Sequence, residues 1–262
     1  PPPHSKVLRT ESTMAERDID AAALFHLNSS NARGVITQPV PDLDRRPSVR
    51  RLYPGARRIA LPGADLDIAQ PLGEALASRR SLRDYADTVL PTHLLGKLLF
   101  ASAGVNGTID FEGIPLGART YPSGGGLYPL EIYPVLQRVE GIADGIYHYD
   151  PFAHDLAELR LGNFHAQFAA MTFGQDMLAT ANAILFITAV FDRSMWKYGQ
   201  RGYRYVWLET GHLGQNLYLV ASALGLAPVA LGGFYDAEAD ALLGVGGAEK
   251  TIYAICIGQP RS

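Results

Sequence analysis

The segment AILFITAVF at 183–191 is apolar in all positions but one, and it constrains the fold more than any other feature. A continuous apolar run of this length predicts a strand buried inside a sheet. It is too short to cross a bilayer, which requires roughly 20 residues. The chain has 262 residues, of which 47% are hydrophobic, and this suffices for one large domain or two small ones.

The segments around this strand alternate between helical and strand-like patterns. Helices are predicted at 71–81, 91–104, 163–173, 203–224 and 236–244, the last with Asp236 as its N-cap. Further strands are predicted at 130–137, 145–150, 155–161, 228–233 and 251–258, of which 145–150 and 155–161 form a hairpin. Pro134 predicts an edge position or a bulge for its strand. The mixed order predicts an α+β fold with a central sheet and helices packed against it.

Residues 1–64 differ in composition from the rest of the chain. They are rich in Pro, Arg and Asp, and the stretch at 44–58 contains six arginines. We predict an N-terminal arm at 1–64, either solvated or lying on a partner subunit or an acidic peptide, with a short helix near 20–27. A compact domain follows at 65–262. The chain does not begin with methionine, so either Met14 is the natural start or the chain was cut from a larger protein.

Charge and cysteine content exclude several classes of protein. The net charge is −3, whereas nucleic-acid-binding proteins usually carry a basic excess. The single cysteine, Cys256, gives no disulfide framework and is typical of a reducing compartment, so we expect a cytoplasmic protein. The N-terminus lacks the apolar core of a signal peptide. With one cysteine and no H-E-x-x-H motif, we expect neither a metal site nor a membrane protein.

An arginine-rich motif and a glycine-rich motif contain residue types suited to binding a ligand. SRRSLRDY at 78–85 has guanidinium groups and a hydroxyl that match phosphate oxygens, although a solvated charge run has the same composition. YPSGGGLYP at 121–129 has three glycines that allow the backbone to approach a flat or anionic group. The alternative for this second motif is a flexible loop.

A third segment, PVALGG at 228–233, follows the long predicted helix and ends in two glycines. By itself it is more typical of a tight turn. Within that helix, Gly211 and Gly214 would permit the close approach of another helix, as a dimer interface needs. His212, Gln215 and Asn216 are polar residues suited either to interface hydrogen bonds or to the edge of a flavin.

Together, and in this order, the three motifs resemble the nitroreductase superfamily of flavoenzymes over residues 65–262. More narrowly, the chain is similar to the SagB-type, or McbC-like, branch of azoline dehydrogenases. The segments LFHLNSSN at 24–31 and RGYRYVWLETGHLGQN at 201–216 carry the character of that branch. The resemblance implies an FMN-dependent nitroreductase fold with a mostly antiparallel central sheet. It also implies a homodimer that holds FMN in a cleft built from both subunits.

The resemblance further implies a substrate and a set of cofactor contacts. Members of this branch oxidise thiazoline or oxazoline rings of peptides to thiazoles or oxazoles, in ribosomal or nonribosomal pathways with other biosynthetic enzymes. Gly126 stands where many nitroreductases have an asparagine, so that side-chain contact is absent or replaced. The implied FMN-binding residues are Arg79, Arg80, Ser81, Arg83, Pro122, Ser123, Gly124, Gly126, Leu231, Gly232, Gly233 and Arg261.

The segment MWKYGQRGYRY at 195–205 contains the implied catalytic residues. The branch carries a Lys-Tyr pair as the base of the reaction, and Lys197 and Tyr198 match it. A lysine acts as a base only when its pKa is lowered to roughly 7–8, by burial or by neighbouring cations. Arg193 and Arg201, four residues to either side, are candidates for such cations. From spacing alone, the alternative is an exposed lysine beside a packing tyrosine.

Two other functions stay open at this point. One is an NAD(P)H-dependent nitro- or quinone reductase on the same fold, which would draw electrons from a nicotinamide instead of an azoline. The other is a non-catalytic module that binds peptides or nucleic acid through the arginine-rich arm and residues 197–205. The Lys-Tyr pair favours azoline oxidation.

Overall fold

A computed structural model of the chain describes residues 20–31, 33, 39–111 and 114–261. Met14 and much of the predicted N-terminal arm lie outside these ranges. Within the described part of the arm, residues 58–60 form a strand that pairs with the main sheet, and the short helix predicted near 20–27 is present at Ala21–Asn28. Among the described residues, no helix has the length and hydrophobicity needed to cross a membrane.

The described elements form an α+β fold around one large sheet. The helices are α1 Ala21–Asn28, α2 Leu72–Ser78, α3 Thr92–Ala103, α4 His165–Ala170, α5 Asp192–Tyr198, α6 Gln200–Ala223 and α7 Asp236–Leu243. The strands are β1 Arg58–Ala60, β2 Val105–Phe111, β3 Ile114–Arg119, β4 Leu130–Leu136, β5 Gly145–Asp150, β6 Asp155–Leu161, β7 Ala183–Val190, β8 Ala227–Leu231 and β9 Glu249–Gly258. Seven of these pair in the antiparallel order β1-β6-β5-β4-β7-β9-β8. The predicted central, mostly antiparallel sheet is confirmed.

Strand β7 lies inside the sheet, between β4 and β9, as its apolar run predicts. Seven of its eight residues are buried. Leu185 and Ile187 point into one core cluster with α3 and α6, whereas Ile184 and Phe186 point into a second cluster on the other face. Because both faces of β7 are covered, the strand has no need for alternating polar residues.

The position of Pro134 differs from the edge prediction. Strand β4 lies between β5 and β7, so it is an internal strand. Its pairing with β7 is continuous, but its pairing with β5 skips Tyr133 and Pro134 between the Ile132–Tyr149 and Val135–Ile146 pairs. A proline has no amide hydrogen to donate, and the gap in the ladder on the β5 side accommodates it. The edge alternative is therefore wrong.

The long helix also differs from its prediction at its start. The segment before it forms a separate short helix, α5, and Gly199 joins α5 to α6 with φ 55° and ψ −141°. This backbone conformation is essentially restricted to glycine, so the chain bends there without strain. Helix α2 ends at Ser78, earlier than predicted, and the hairpin of β2 and β3 was not predicted at all.

Two smaller expectations about helices are corrected. Asp236 is the first residue of α7, whose N-cap position is held by Tyr235 without a side-chain bond. Gly214 faces its own chain, because a Cβ there would lie 3.0 Å from the Tyr253 ring. Close packing of α6 on the sheet explains Gly214 without a second subunit, while Gly211 faces open space.

Helix α3 provides a test of the packing. A Cβ on Gly96 would lie 1.9 Å from the carbonyl oxygen of Pro62, whereas a Cβ on Gly73 in α2 would meet nothing within 4 Å. We expect Gly96→Ala to lower the free energy of unfolding by about 1–3 kcal/mol, because backbone must move. Gly73→Ala should leave it unchanged or raise it by up to about 1 kcal/mol. Urea unfolding of both variants measures this, and an equally stable Gly96→Ala variant would contradict the packing.

Candidate active site

Lys197 and Tyr198 end helix α5 in contact with the segment Pro122–Gly126, here called the triglycine loop. A Cβ on Gly125 would lie 2.6 Å from Tyr198 Oη and 3.3 Å from Lys197 Nζ. Gly125 also has φ 68°, a conformation that favours glycine. The sequence-predicted pair and the sequence-predicted loop are therefore brought together, with the loop backbone directly against both side chains.

A cavity of about 380 Å³ opens beside this contact. It is lined by Pro122, Ser123, Gly124, Tyr198, Tyr205, Leu208, Glu209 and His212. Three lining residues come from the triglycine loop, one from α5 and four from α6. The rings of Tyr198 and Tyr205 meet edge to face at 4.9 Å between centroids. Such a cavity, with an aromatic wall and a few polar groups, is suited to a small ligand or one ring of a larger one.

Helix α5 is held in place by Arg193, one turn before Lys197. The buried Arg193 guanidinium forms an ion pair with Glu131 Oε1 at 2.6 Å, and it donates hydrogen bonds to the Tyr128 carbonyl at 3.0 Å and to the Ser48 carbonyl at 2.6 Å. Arg193 therefore neutralises Glu131 and ties α5 to the end of the triglycine loop. Arg193, a candidate cation for Lys197 in the sequence analysis, is thus paired with Glu131 in the structure.

The partner of Arg193 lies in a buried charge network. Glu131 also binds His148 Nε2 at 2.9 Å. Burial alone would raise the pKa of Glu131, but the hydrogen bond from His148 and the charge of Arg193 outweigh it and lower the pKa. The other candidate cation, Arg201, donates to the Ser29 carbonyl at 3.2 Å, and its guanidinium lies 5.7 Å from the centroid of the Tyr205 ring.

Glu209 is a residue of the site that the motifs did not indicate. It is 3% exposed, and its Oε2 accepts a hydrogen bond of 2.7 Å from Ser123 Oγ. Burial raises the pKa of Glu209 to about 8, and the Ser123 hydrogen bond with the charges of Arg119 and Arg193 offsets only part of this effect. The available signal was its spacing: Glu209 falls three residues after the buried Val206, on the apolar face of α6.

The predicted phosphate-binding residues form a second cluster near the C-terminal end of α6. Ser81 Oγ lies 2.9 Å from Tyr218 Oη, and the Arg79 guanidinium lies 5.2 Å from the centroid of the same ring. Tyr218 Oη in turn accepts from the Ala230 amide of β8 at 2.7 Å. Arg261 pairs with Asp84 at 3.4 Å. These exposed cations and hydroxyls suit a phosphate group.

The other predicted FMN-binding residues contribute less directly to these two clusters. Arg80 donates to the carbonyls of Ala77 and Arg79, and so completes the end of α2. Gly126 has φ 64° and faces Leu116 of β3, away from the residues that line the cavity. Leu231 is the last residue of β8. Of the two glycines that follow, Gly233 lies beside the Phe173 ring, 3.4 Å from where its Cβ would be, and Gly232 faces open space.

The two clusters do not meet within one chain. Tyr205 belongs to the Lys197 cluster and Tyr218 to the arginine cluster, and both lie on α6. Thirteen residues of α-helix separate them, which corresponds to roughly 20 Å along the axis. His212 lines the cavity between them, whereas Asn216 donates to the carbonyls of Ser102 and Thr120 in the same chain. In the described residues, no cluster of three or more His, Cys, Asp or Glu side chains suits a metal ion.

The chain belongs to the nitroreductase family, whose pattern matches residues 76–259. The predicted resemblance is confirmed at this level, and membership supports an oxidoreductase.

Two relatives are similar in sequence. A protein of Methanocaldococcus jannaschii that bears the name of a nitroreductase is 38% identical over 167 residues, which are 64% of this chain and 81% of that protein. The microcin B17-processing protein McbC of Escherichia coli is 32% identical over 123 residues, 45% of each chain. The chain therefore matches less than half of the length of McbC.

Two solved structures share the fold. A protein of Ralstonia eutropha named as a nitroreductase gives a TM-score of 0.66 at 27% identity, covering 81% of this chain and 94% of that one. The microcin synthetase McbBCD complex of Escherichia coli, with truncated pro-MccB17 bound, gives a TM-score of 0.60 at 22% identity over 92% of each chain.

The triglycine loop allows a matched pair of substitutions. Gly125→Ala would place a side chain at positive φ and against Tyr198, while a Cβ on Gly124 would make ordinary contact with the Tyr205 ring at 3.5 Å. We expect Gly125→Ala to destabilise the fold by about 1–2 kcal/mol. Gly124→Ala should change stability by less than about 0.5 kcal/mol. Urea unfolding curves check both values, and equal midpoints for the two variants would argue against the loop geometry.

Proposed function

We propose that this protein is an FMN-dependent oxidoreductase that dehydrogenates thiazoline or oxazoline rings in a peptide substrate. The observation that carries the proposal is the contact of Lys197 and Tyr198 with the triglycine loop, beside a cavity of about 380 Å³. The similarity to McbC, which is named as a microcin B17-processing protein, supports this choice of substrate class.

The residues present fit FMN in two respects. Gly125 lets the loop backbone pack directly against Lys197 and Tyr198, and the cavity beside this contact would receive a flat ring. For the phosphate, the second cluster offers the partly buried guanidinium group of Arg79 and the hydroxyl of Ser81, and the exposed residues Arg83 and Arg261 would add two further cations. When bound, FMN supplies a hydride acceptor at its N5 atom.

The protein's own side chains would handle the proton. Aromatising an azoline removes a hydride from one ring carbon and a proton from its neighbour, so a base must face the ring opposite the hydride acceptor. The neutral amine of Lys197 would take that proton at Nζ, and Tyr198, whose ring centroid lies 5.6 Å from Nζ, would orient the amine or share the proton. The triglycine loop limits where a ring can lie.

The separation of the two clusters supports a homodimer. Roughly 20 Å of α6 divides the Lys197 cluster from the arginine cluster. A second copy can place its arginine cluster beside the Lys197 cluster of the first, so that each cleft contains residues of both chains. A peptide substrate, and other enzymes of its biosynthetic pathway, would be the further partners of such a dimer.

Replacing Lys197 tests the proposed base. We expect Lys197→Ala to retain bound FMN but to lose azoline oxidation by about 10²–10⁴-fold, because general-base catalysis is removed. Lys250→Ala is the matched control, since Lys250 is exposed and pairs with Asp240 on α7. Mass spectrometry of an azoline peptide, which loses about two mass units on aromatisation, measures the activity. Normal turnover by Lys197→Ala would remove this residue from the mechanism.

Mixing two inactive variants tests the composite cleft. A chain with Arg79→Ala and Arg83→Ala lacks one cluster, and a Lys197→Ala chain lacks the other. In a mixed dimer, one cleft contains both substitutions and the other contains neither. At equal mixing about half of the dimers are mixed, and each has one intact cleft. We therefore expect subunit exchange to restore activity to roughly a quarter of the wild-type value. Activity that does not return, although native mass spectrometry detects mixed dimers, would show that each site is built within one chain.

A second candidate is an NAD(P)H-dependent nitro- or quinone reductase. The relative from Methanocaldococcus jannaschii, at 38% identity, bears a nitroreductase name and favours this alternative. Anaerobic mixing of the FMN-loaded protein with NADPH separates the two, because rapid bleaching of the flavin would support the reductase. A purified protein that stays colourless and gains no flavin spectrum with added FMN would instead favour a non-catalytic peptide-binding module.

A further inference from the structure

Glu209 is linked to both ends of the triglycine loop by the hydroxyl group of Ser123. Ser123 Oγ donates to Glu209 Oε2 at 2.7 Å and accepts from the Tyr128 amide at 2.9 Å. Ser123 lies near the start of the loop and Tyr128 just beyond its end, so both flanks of the three glycines converge on one buried carboxyl group. Tyr128 has φ 42°, an unusual conformation that this hydrogen bond helps to maintain.

The second oxygen of Glu209 has no donor. Its Oε1 is buried and lacks a hydrogen-bond partner among the described residues. The two arginines whose charges act on Glu209 are not hydrogen-bonded to it: Arg119 donates through Nη1 to Tyr121 and to the Leu130 carbonyl, and Arg193 is paired with Glu131. A carboxylate at this position would bury a charge with the Ser123 hydroxyl as its one hydrogen-bond donor among the described residues, whereas a carboxylic acid would bury no charge.

Other titratable groups surround the site on every packed element. They are Arg119 on β3, Tyr121 after it, Glu131 on β4, Arg193, Lys197 and Tyr198 on α5, and Tyr205 and His212 on α6. Burial and the neighbouring Tyr205 raise the pKa of Tyr198 above its ordinary value. Tyr198 therefore keeps its proton well into the alkaline range and would not produce a transition between pH 7 and 9.

We propose that Glu209 is a positioning residue that, as a neutral carboxylic acid, holds the triglycine loop against Lys197 and Tyr198. Loss of its proton puts a charge on Oε1, which draws water to the buried carboxyl group and loosens the loop. The glycines then no longer fix the ring position relative to the Lys197 amine. The effect on turnover rests on the proposed function, whereas the effect on the loop does not.

The sign of the pH effect follows from the direction of the shift. An acid whose pKa is raised to about 8 in the folded protein stays protonated at neutral pH and ionises above about 8. The loop should thus be held at neutral pH and released at alkaline pH. Glu209→Gln keeps the shape and the acceptor for Ser123 but cannot ionise, and Glu209→Ala removes the acceptor at every pH.

Hydrogen exchange of the loop amides tests the inference without any cofactor or substrate. In the wild-type protein, protection of Gly124–Tyr128, corrected for the intrinsic effect of pH, should fall at least tenfold between about pH 7 and 9.5. Glu209→Gln should keep its protection over this range, and Glu209→Ala should lack it throughout. Glu238→Gln, on the exposed face of α7, is the matched control and should behave as wild type. Equal loss of protection in wild type and Glu209→Gln would overturn the proposal.

Turnover of the FMN-loaded enzyme gives the second readout. We expect kcat of the wild type to fall about tenfold per pH unit above pH 8, and the Glu209→Gln variant to retain its kcat there with KM little changed. If kcat of Glu209→Gln also falls above about pH 8, the decline is caused by the ionisation of another group, and Glu209 has no part in the pH dependence of turnover. If no variant oxidises azolines, the proposed function fails, and the exchange measurement alone then decides the role of Glu209.

Discussion

The buried ion pair between Arg193 and Glu131 is the interaction on which the candidate site depends. Taking two charges out of water costs several kcal/mol per ion, and this cost is recovered only when the remaining donors and acceptors are satisfied. Here His148 binds the second oxygen of Glu131, and Arg193 also donates to the carbonyls of Tyr128 and Ser48. One guanidinium group therefore joins the central strand β4, the helix α5 and the segment that precedes β1.

This arrangement explains how a short helix can position the proposed catalytic pair. Helix α5 has only seven residues and would not be stable alone. Arg193 anchors its first turn to the sheet, and the bend at Gly199 allows α5 and α6 to run in different directions. Lys197 and Tyr198, in the last turn, are thus placed by a rigid anchor and a sharp bend, which is the precision that a site for proton transfer needs.

Much of the fold could be predicted from the sequence, because apolar periodicity fixes strands and helices that pack on a core. The run at 183–191 identified β7, and the order of the three motifs identified the family. Prediction failed where a single residue decides local geometry within a longer pattern. Pro134 is tolerated in an internal strand because the ladder is interrupted on one side only, and the short helix α5 before Gly199 was not among the predicted helices.

The site was predictable only in part, for a similar reason. Motifs marked residues of unusual composition, such as the three glycines and the Lys-Tyr pair, and the structure brings these together. Glu209 is a common residue type at an ordinary helical spacing, and its proposed role depends on the rise in its pKa that burial causes, which the sequence does not reveal. The distance between the two clusters depends on the length of α6 and not on any motif.

The short strand β1 has a consequence for the assembly of the chain. Its three residues, Arg58–Ala60, pair with β6 and cover the outer edge of the seven-stranded sheet. They lie before residue 76, where the match to the family begins. A protein trimmed to the matched region would leave the amides and carbonyls of β6 open to strands of other molecules, and such an edge promotes aggregation. Strand β1, which precedes the region matched by the family, is thus expected to reduce aggregation through the edge of β6.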